Sequence, residues 1–428
     1  VIVAYDEAIE LDTGGNVSGN TIVNSGSLSS VDDDAIYLQA DEDITGNTIT
    51  NSGLITSEDE DGIDVTAGYN AGGNVILNTA EGVINTEDNA IVIEAAEGSA
   101  TGNRITNAGA LNDISENSNW NDGNGIVIGA AASNDDDAIN GNVITNTGTI
   151  SVENSGVLLY GGSEYNYGVG YASIAADIVG NQIENTGTIS QELGDASGEL
   201  DTSDIFVDLP NVVETTDAGI RLTAFTSGED LREADQGVIF TSDLTTSVDD
   251  NTVANSGELQ ATNFGIDLRA SAVMMLGSDA NPDSTDAGAI GNVGGEGPRT
   301  FRTVGATTTV DQTATVDRNE ITNTGDMTSY DRGIALSADA VSWAVADADG
   351  RSYDQSITTF RANMTSTSTA TASAYAGIVD NTITNTGSIS VLVDSLGGED
   401  AFDGDGIALL ALAGANADAD AYALADVH

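Results

Sequence analysis

The chain has 428 residues, of which 69 are acidic and 10 basic, giving a formal charge of −59 at neutral pH. Every basic residue is an arginine apart from the single histidine, and DNA, RNA and anionic membrane surfaces, which each need a positive footprint, are excluded as partners. The absence of cysteine rules out disulfides and thiolate metal sites, and no run of about 18 apolar residues is present to be inserted across a membrane.

The chain starts at Val1 with no methionine, basic stretch or apolar leader core, the pattern of a processed, secreted product. EAIEL from Glu7 precedes GNTIVNSGSL from Gly19, and two phrases then alternate to the end. The first returns at Gly46 (GNTITNSGLI), Gly102, Gly141, Gly180, Asp250, Arg318 and Asp380, and at Gly73 with two extra residues. The second, typified by DGIDVTA from Asp61, begins at Asp34, Asn89, Asn124, Ser155, Ala218, Phe264, Arg332 and Asp405. Alternation this regular marks a repeat architecture, in which each unit contacts only its neighbours.

Residues two apart share one face of a strand, so Asn47, Ile49 and Asn51 point one way and Thr48 and Thr50 the other. Ile63 and Val65 turn inward in the second phrase by the same rule. Neither phrase has a helical apolar period, and both are bounded by Gly, Asn, Asp and Ser, the residues that turn chains. One short strand per phrase, stacked coil on coil, predicts an all-β fold: a parallel β-helix, or β-solenoid, of nine to ten coils.

The fixed asparagines fit this arrangement because an amide both donates and accepts, so identical amides stacked along the axis can bond to one another. One ladder is expected through Asn20, Asn47, Asn74, Asn103, Asn142, Asn181, Asn251, Asn319 and Asn381. A second runs through Asn24, Asn51, Asn78, Asn107, Asn146, Asn185, Asn255, Asn323 and Asn385. Gly53 and its counterparts are expected to supply a positive φ at the corner.

These N-x-G-x-I phrases resemble the β-solenoid passenger regions of bacterial autotransporters and large surface adhesins, across nearly the whole chain. The resemblance implies a right-handed parallel β-helix at the cell surface or secreted, without identifying an activity.

Coil length grows from about 27 residues early to between 62 and 70 late, mostly after the second phrase. The chain is therefore read as a single elongated unit over residues 1–428, narrow over 1–190 and wide over 191–428. The late excursions run out from Ser271, Ser337 and Leu412, the last two alternating small apolar residues with Asp, and are Thr-rich on the way back (from Gly305 and Met364). They predict two-stranded wings stacked coil on coil, with TFR at Thr300 and Thr359 in matching places. Pro210, Pro282 and Pro298 fall between the phrases, as laddered strands require.

Acidic clusters precede the second phrase, and Asp33, Asp34, Glu60, Asp61 and Asp88 are candidate calcium ligands. Stacked about 4.8 Å apart they repel, and calcium takes carboxylate oxygens in flexible geometry. The competing reading is acids fanned into solvent, since no EF-hand or nonapeptide calcium repeat is present. Catalysis has a narrow base: the one histidine is His428, and an acid pair such as that within Asp135 to Asp137 is the only support for a polysaccharide-degrading enzyme. No catalytic residue and no required cofactor are assigned. An ice-binding face fails because T-x-T pairs such as Thr48/Thr50 and Thr382/Thr384 do not recur in every coil. Asn16 and Asn363 are glycosylation sequons, and the Thr/Ser run from Thr365 to Ser373 could carry O-glycans.

The chain is accordingly expected to be a non-enzymatic, secreted or cell-surface structural protein whose main partner is itself. It starts inside a second phrase and ends on an outgoing strand, with no polar cap, which suggests a head-to-tail polymer joined through Val1, Ile2, Val3, Tyr5, Tyr422 and Leu424. The alternative is an adhesin passenger fragment that binds glycans or other surface proteins.

Overall fold

The computed structural model describes residues 1–114, 123–133, 137–165, 171–191, 218–233, 238–280, 299–329, 331–354, 361–392 and 405–427. Among these residues every regular element is a strand, and all strand pairings are parallel. The strands fall into four sheets, A and B with ten strands and C and D with nine, each built from every fourth strand of the chain. This is a parallel β-helix of nine to ten coils.

One coil shows the plan: β5 (Ser27–Ser30) lies in sheet A, β6 (Ile36–Ala40) in B, β7 (Ile44–Thr45) in C and β8 (Thr48–Asn51) in D. The expectation of one strand per phrase is corrected here, because the first phrase makes two strands, β8 in sheet D and β9 (Leu54–Ser57) in sheet A. Asn51 breaks it: its Oδ1 accepts the Gly53 N–H at 3.1 Å, an Asx turn that ends one strand and aims the next.

Alternation within each strand sends one row of side chains inside. Ile49, Ile76, Ile105, Ile144, Ile183 and Ile321 form a buried column, and Ile383 on the last rung is partly buried against it. Ile36 and Ile63, paired across sheet B, begin a second column of the same core.

The glycine expectation is corrected as well. The left-handed residue is the one before the first asparagine, as at Gly46 (φ 65°) and Gly141 (φ 63°), and in the late coils Asp250, Arg318 and Asp380 adopt it at φ 56°, 52° and 54°. The glycine two after the second asparagine is needed for a different reason. A Cβ on Gly53 would lie 2.0 Å from the Gly26 carbonyl oxygen, and one on Gly148 would lie 2.0 Å from that of Gly109. Coils approach so closely at this corner that only hydrogen fits.

The coils widen by lengthening sheets B and C. Sheet B strands grow from 5 residues in β10 (Ile63–Ala67) to 8 in β18 (Ile126–Ser133), 16 in β26 (Ala218–Glu233) and 23 in β34 (Arg332–Asp354) and β38 (Asp405–Val427). In sheet C they grow from 2 in β11 (Ala71–Gly72) to 19 in β31 (Arg299–Asp317) and β35 (Arg361–Val379). Each wing is thus an outgoing and a returning strand continuous with the coil. Its interior is made of small side chains, with Ala338, Ala340, Ala344 and Ala346 in β34 and Val310 and Ala314 in β31 all buried. The TFR segments are not in register: Arg361 pairs with Arg299 while Arg302 pairs with Met364. Register is carried outward from the coil, where Val316 pairs with Ile378, and overrides sequence likeness near the tip. Pro210, Pro282 and Pro298, with Asp135, Asp136 and His428, lie outside the described residues.

Candidate functional site

Both amide ladders are present. Asn47 accepts the N–H and the Nδ2 of Asn20 on its Oδ1 at 2.9 and 3.1 Å, and its own Nδ2 donates to Asn74 Oδ1 at 3.1 Å and to the Val17 carbonyl at 3.1 Å. All four bonds that this buried amide can make are made. The same set continues through Asn103, Asn142, Asn181, Asn251 and Asn319 to Asn381. The second ladder runs from Asn24 through Asn51, Asn78, Asn107, Asn146, Asn185, Asn255 and Asn323 to Asn385, with Nδ2···Oδ1 distances between 2.7 and 2.9 Å.

A third ladder stands at the corner before the second phrase, and it contains the acids. Asp34 Oδ1 accepts the Asp61 N–H at 3.0 Å, and Asp61 Oδ1 accepts both the N–H and the Nδ2 of Asn89 at 2.8 and 3.0 Å. Asn89 Oδ1 accepts from Asn124, and Asn124 Oδ1 accepts the Ser155 N–H. Here the donors point back towards the N-terminus, opposite to the other two ladders. Asn89 and Asn124 have an Nδ2 to donate to the rung before, whereas Asp61 has a second oxygen in its place.

That difference concentrates charge. Asp64, on the outer face of β10 between Tyr37 of β6 and Val92 of β14 (Ile91–Ala95), brings its carboxylate to Asp34 and Asp61, and one oxygen from each lies within 4.8 Å of the others. Thr66 Oγ1 donates to Asp64 Oδ1 at 2.7 Å. Burial, then the charge of Asp64, pushes Asp34 up to about 8. Burial likewise pushes Asp64 up to about 7, against the Thr66 bond and with Glu94 adding to the rise. Asp61 is raised well above the usual carboxylate range by burial, then by Asp64 and Asp34. Tyr37 is pushed up to about 12 by burial and by Asp64. The first basic side chain in the sequence is Arg104, so no side-chain cation of these early coils offsets the three acids.

Of the residues singled out by sequence, the structure brings Asp34 and Asp61 together. Asp33 accepts the Asp34 N–H and Glu60 donates its N–H to Ser57 Oγ; neither joins the trio, and Asp88 is half-buried and also apart. Asp64 was not singled out; its signal is the 27-residue step that stacks it on Tyr37, as the one acid of its strand. Three hard carboxylate oxygens suit calcium and not a soft transition metal. Asn16 is exposed, with its Oδ1 taking the Asp43 N–H, and Asn363 lies in β35 with its side chain outside the described set. Val1, Ile2, Val3 and Tyr5 are exposed; Tyr422 and Leu424 lie in β38, their side chains outside the described set.

A second charged region occupies the outer face of sheet B in the wide coils. Arg221 Nε lies 3.7 Å from Asp267 in a buried pair, Arg269 lies 3.4 Å from Asp339, and the Arg332 guanidinium sits 5.7 Å over the Phe264 ring.

The strands and ladders define a β-solenoid with internal asparagine ladders. Compared with family models, with curated proteins and with solved structures, the chain has no match, so the class rests on these strands and ladders.

Proposed function

We propose that the protein is a non-catalytic, extracellular structural subunit that stacks head to tail into a surface filament or adhesive fibre. The observation that carries this reading is the stacking itself: each coil joins its neighbours by parallel strand pairs and by amide bonds that repeat in register along the described residues, so the sheet edges of one copy suit those of a second. A head-to-tail contact of this kind is heterologous and does not close. The strongly acidic surface and the passenger-like phrases favour an extracellular setting.

Calcium held by Asp34, Asp61 and Asp64 is proposed as a stabiliser of the narrow coils. It would screen three carboxylates that form no ion pair with a side chain among the described residues.

The test is electron microscopy and sedimentation of the purified chain. Filaments are expected from the wild type, and deletion of Val1 to Asp6, or Leu409→Asp, should leave folded monomers. A longer polypeptide that continued the coils would occupy the same edges, and the purified chain remaining monomeric at high concentration overturns the reading.

A further inference from the structure

Where the chain leaves sheet B for sheet C in coils two to four, the surface dips into a groove of about 360 Å³, lined by Gln39, Asp41, Thr66, Gly68, Tyr69 and Glu97. That volume lies within the range of small-ligand sites. Gly68 forms part of the recess, for a Cβ there would come 2.3 Å from the Asp41 carbonyl oxygen. Tyr69 also lines it, with 49 % of its surface exposed.

The chemistry of that wall selects the ligand. Asp41 and Glu97 offer carboxylate oxygens and Gln39 a carboxamide that both accepts and donates, and the Thr66 hydroxyl already gives its proton to Asp64 and presents only lone pairs. The lining is therefore rich in acceptors, and a complementary ligand must be rich in donors. No lysine or arginine lines it, so anions are repelled. The one group of three acids among the described residues with ligand atoms close enough for a metal lies elsewhere, at Asp34, Asp61 and Asp64. An exposed aromatic face beside clustered acceptors fits a neutral polyhydroxylated ring, whose C–H face packs on the tyrosine while its hydroxyls donate to the acids.

We propose that this groove binds a hexose unit of a neutral polysaccharide, with Tyr69 as the stacking platform and Asp41, Glu97 and Gln39 as hydroxyl acceptors. The site lies on the side of the narrow coils, away from both ends, so it goes beyond the filament reading and stands or falls without it.

Cellohexaose, maltohexaose and laminarihexaose are titrated into the intact chain by calorimetry, with an alginate hexamer as the charged comparator. At least one neutral hexamer should bind and the alginate hexamer should not. Tyr69→Ala should weaken binding about tenfold or more, and Glu97→Gln should weaken it by a smaller factor. Both positions are exposed, so far-UV dichroism and melting should match the wild type, and Tyr375→Ala, an exposed tyrosine of β35 outside the groove, should bind normally. Absence of heat with all three neutral hexamers, binding of alginate alone, or a Tyr69→Ala variant that binds like the wild type overturns the proposal.

Discussion

Around β6 and β10, acids are stacked on acids, and burial together with the charges of neighbouring acids raises their pKa values. In the wide coils, acids are placed against arginines. Arg318 makes two bonds of 2.9 Å to Asp250, whose carboxyl is held below its usual range by them, and Arg221 is buried beside Asp267. The ladders run through both regions, and so does the aliphatic column, with Val253 standing between Ile183 and Ile321. The comparison teaches that the inner frame fixes the fold, while the outer face of each coil is free to treat charge in its own way.

The strongest way to break the shared frame is Ile144→Asp, which leaves an unpaired charge at a position 1 % exposed in the middle of the column. It should cost on the order of 3–5 kcal/mol by chemical denaturation; an unchanged midpoint would mean the facing is wrong. Gly148→Ala comes next, since its methyl group meets the Gly109 carbonyl, and about 1–3 kcal/mol is expected. Asn146→Ala removes one rung, takes the donor from the Asn185 Oδ1 and leaves the Asn107 Nδ2 with the Thr149 carbonyl alone, costing a similar amount, about 1–3 kcal/mol.

The two regions should part company with pH. Asp34 and Asp64 have folded values of about 8 and about 7 against an unbound value of 3.8, so their contribution is complete below that lower value and is lost as pH rises through 7 to 8. Hydrogen exchange across β6 and β10 should therefore quicken from pH 5 to pH 9 more than across β30 (Phe264–Ala280), and Asp64→Asn should flatten the difference. Calcium added at pH 8 should restore protection and EGTA should remove it; equal behaviour of the two regions at every pH would end the contrast. The smallest effect is expected from Arg318→Gly. It relieves a left-handed conformation costing about 1–2 kcal/mol and gives up exposed, solvent-screened contacts to Asp249, Asp250 and Asp317, so melting should move little in either direction.

The ladders, the isoleucine column and the wings were legible in the sequence because a period of two residues, repeated along the chain, leaves few alternatives. The strand count was not. Four-residue strands such as β8 and β9 are too short to separate by alternation, and the Asx turn at Asn51 that divides them is a bond between neighbours, invisible in a repeat pattern. Gly53 was found but misread, since a tight corner and a positive φ both demand glycine and only the distance to Gly26 tells them apart. The acidic site was half legible: Asp34 and Asp61 stood out as members of acid runs, whereas Asp64 is isolated in DGIDV and reaches them only through the pleat. The groove at Tyr69 left no mark, because its parts come from three coils.

Asn142 and Asn181 are 39 residues apart and Asn181 and Asn251 are 70 apart, yet both pairs meet at 3.0 Å. Sequence can thus be inserted between rungs without the ladder registering it. Doubling a loop adds only about 0.6 kcal/mol to its closure, a small cost beside the bonds that each rung makes. For the lineage this makes length an almost neutral trait: a coil can acquire a wing, lose it, or carry a foreign segment at its tip, while the amides beneath keep count of coils and ignore the distance travelled between them.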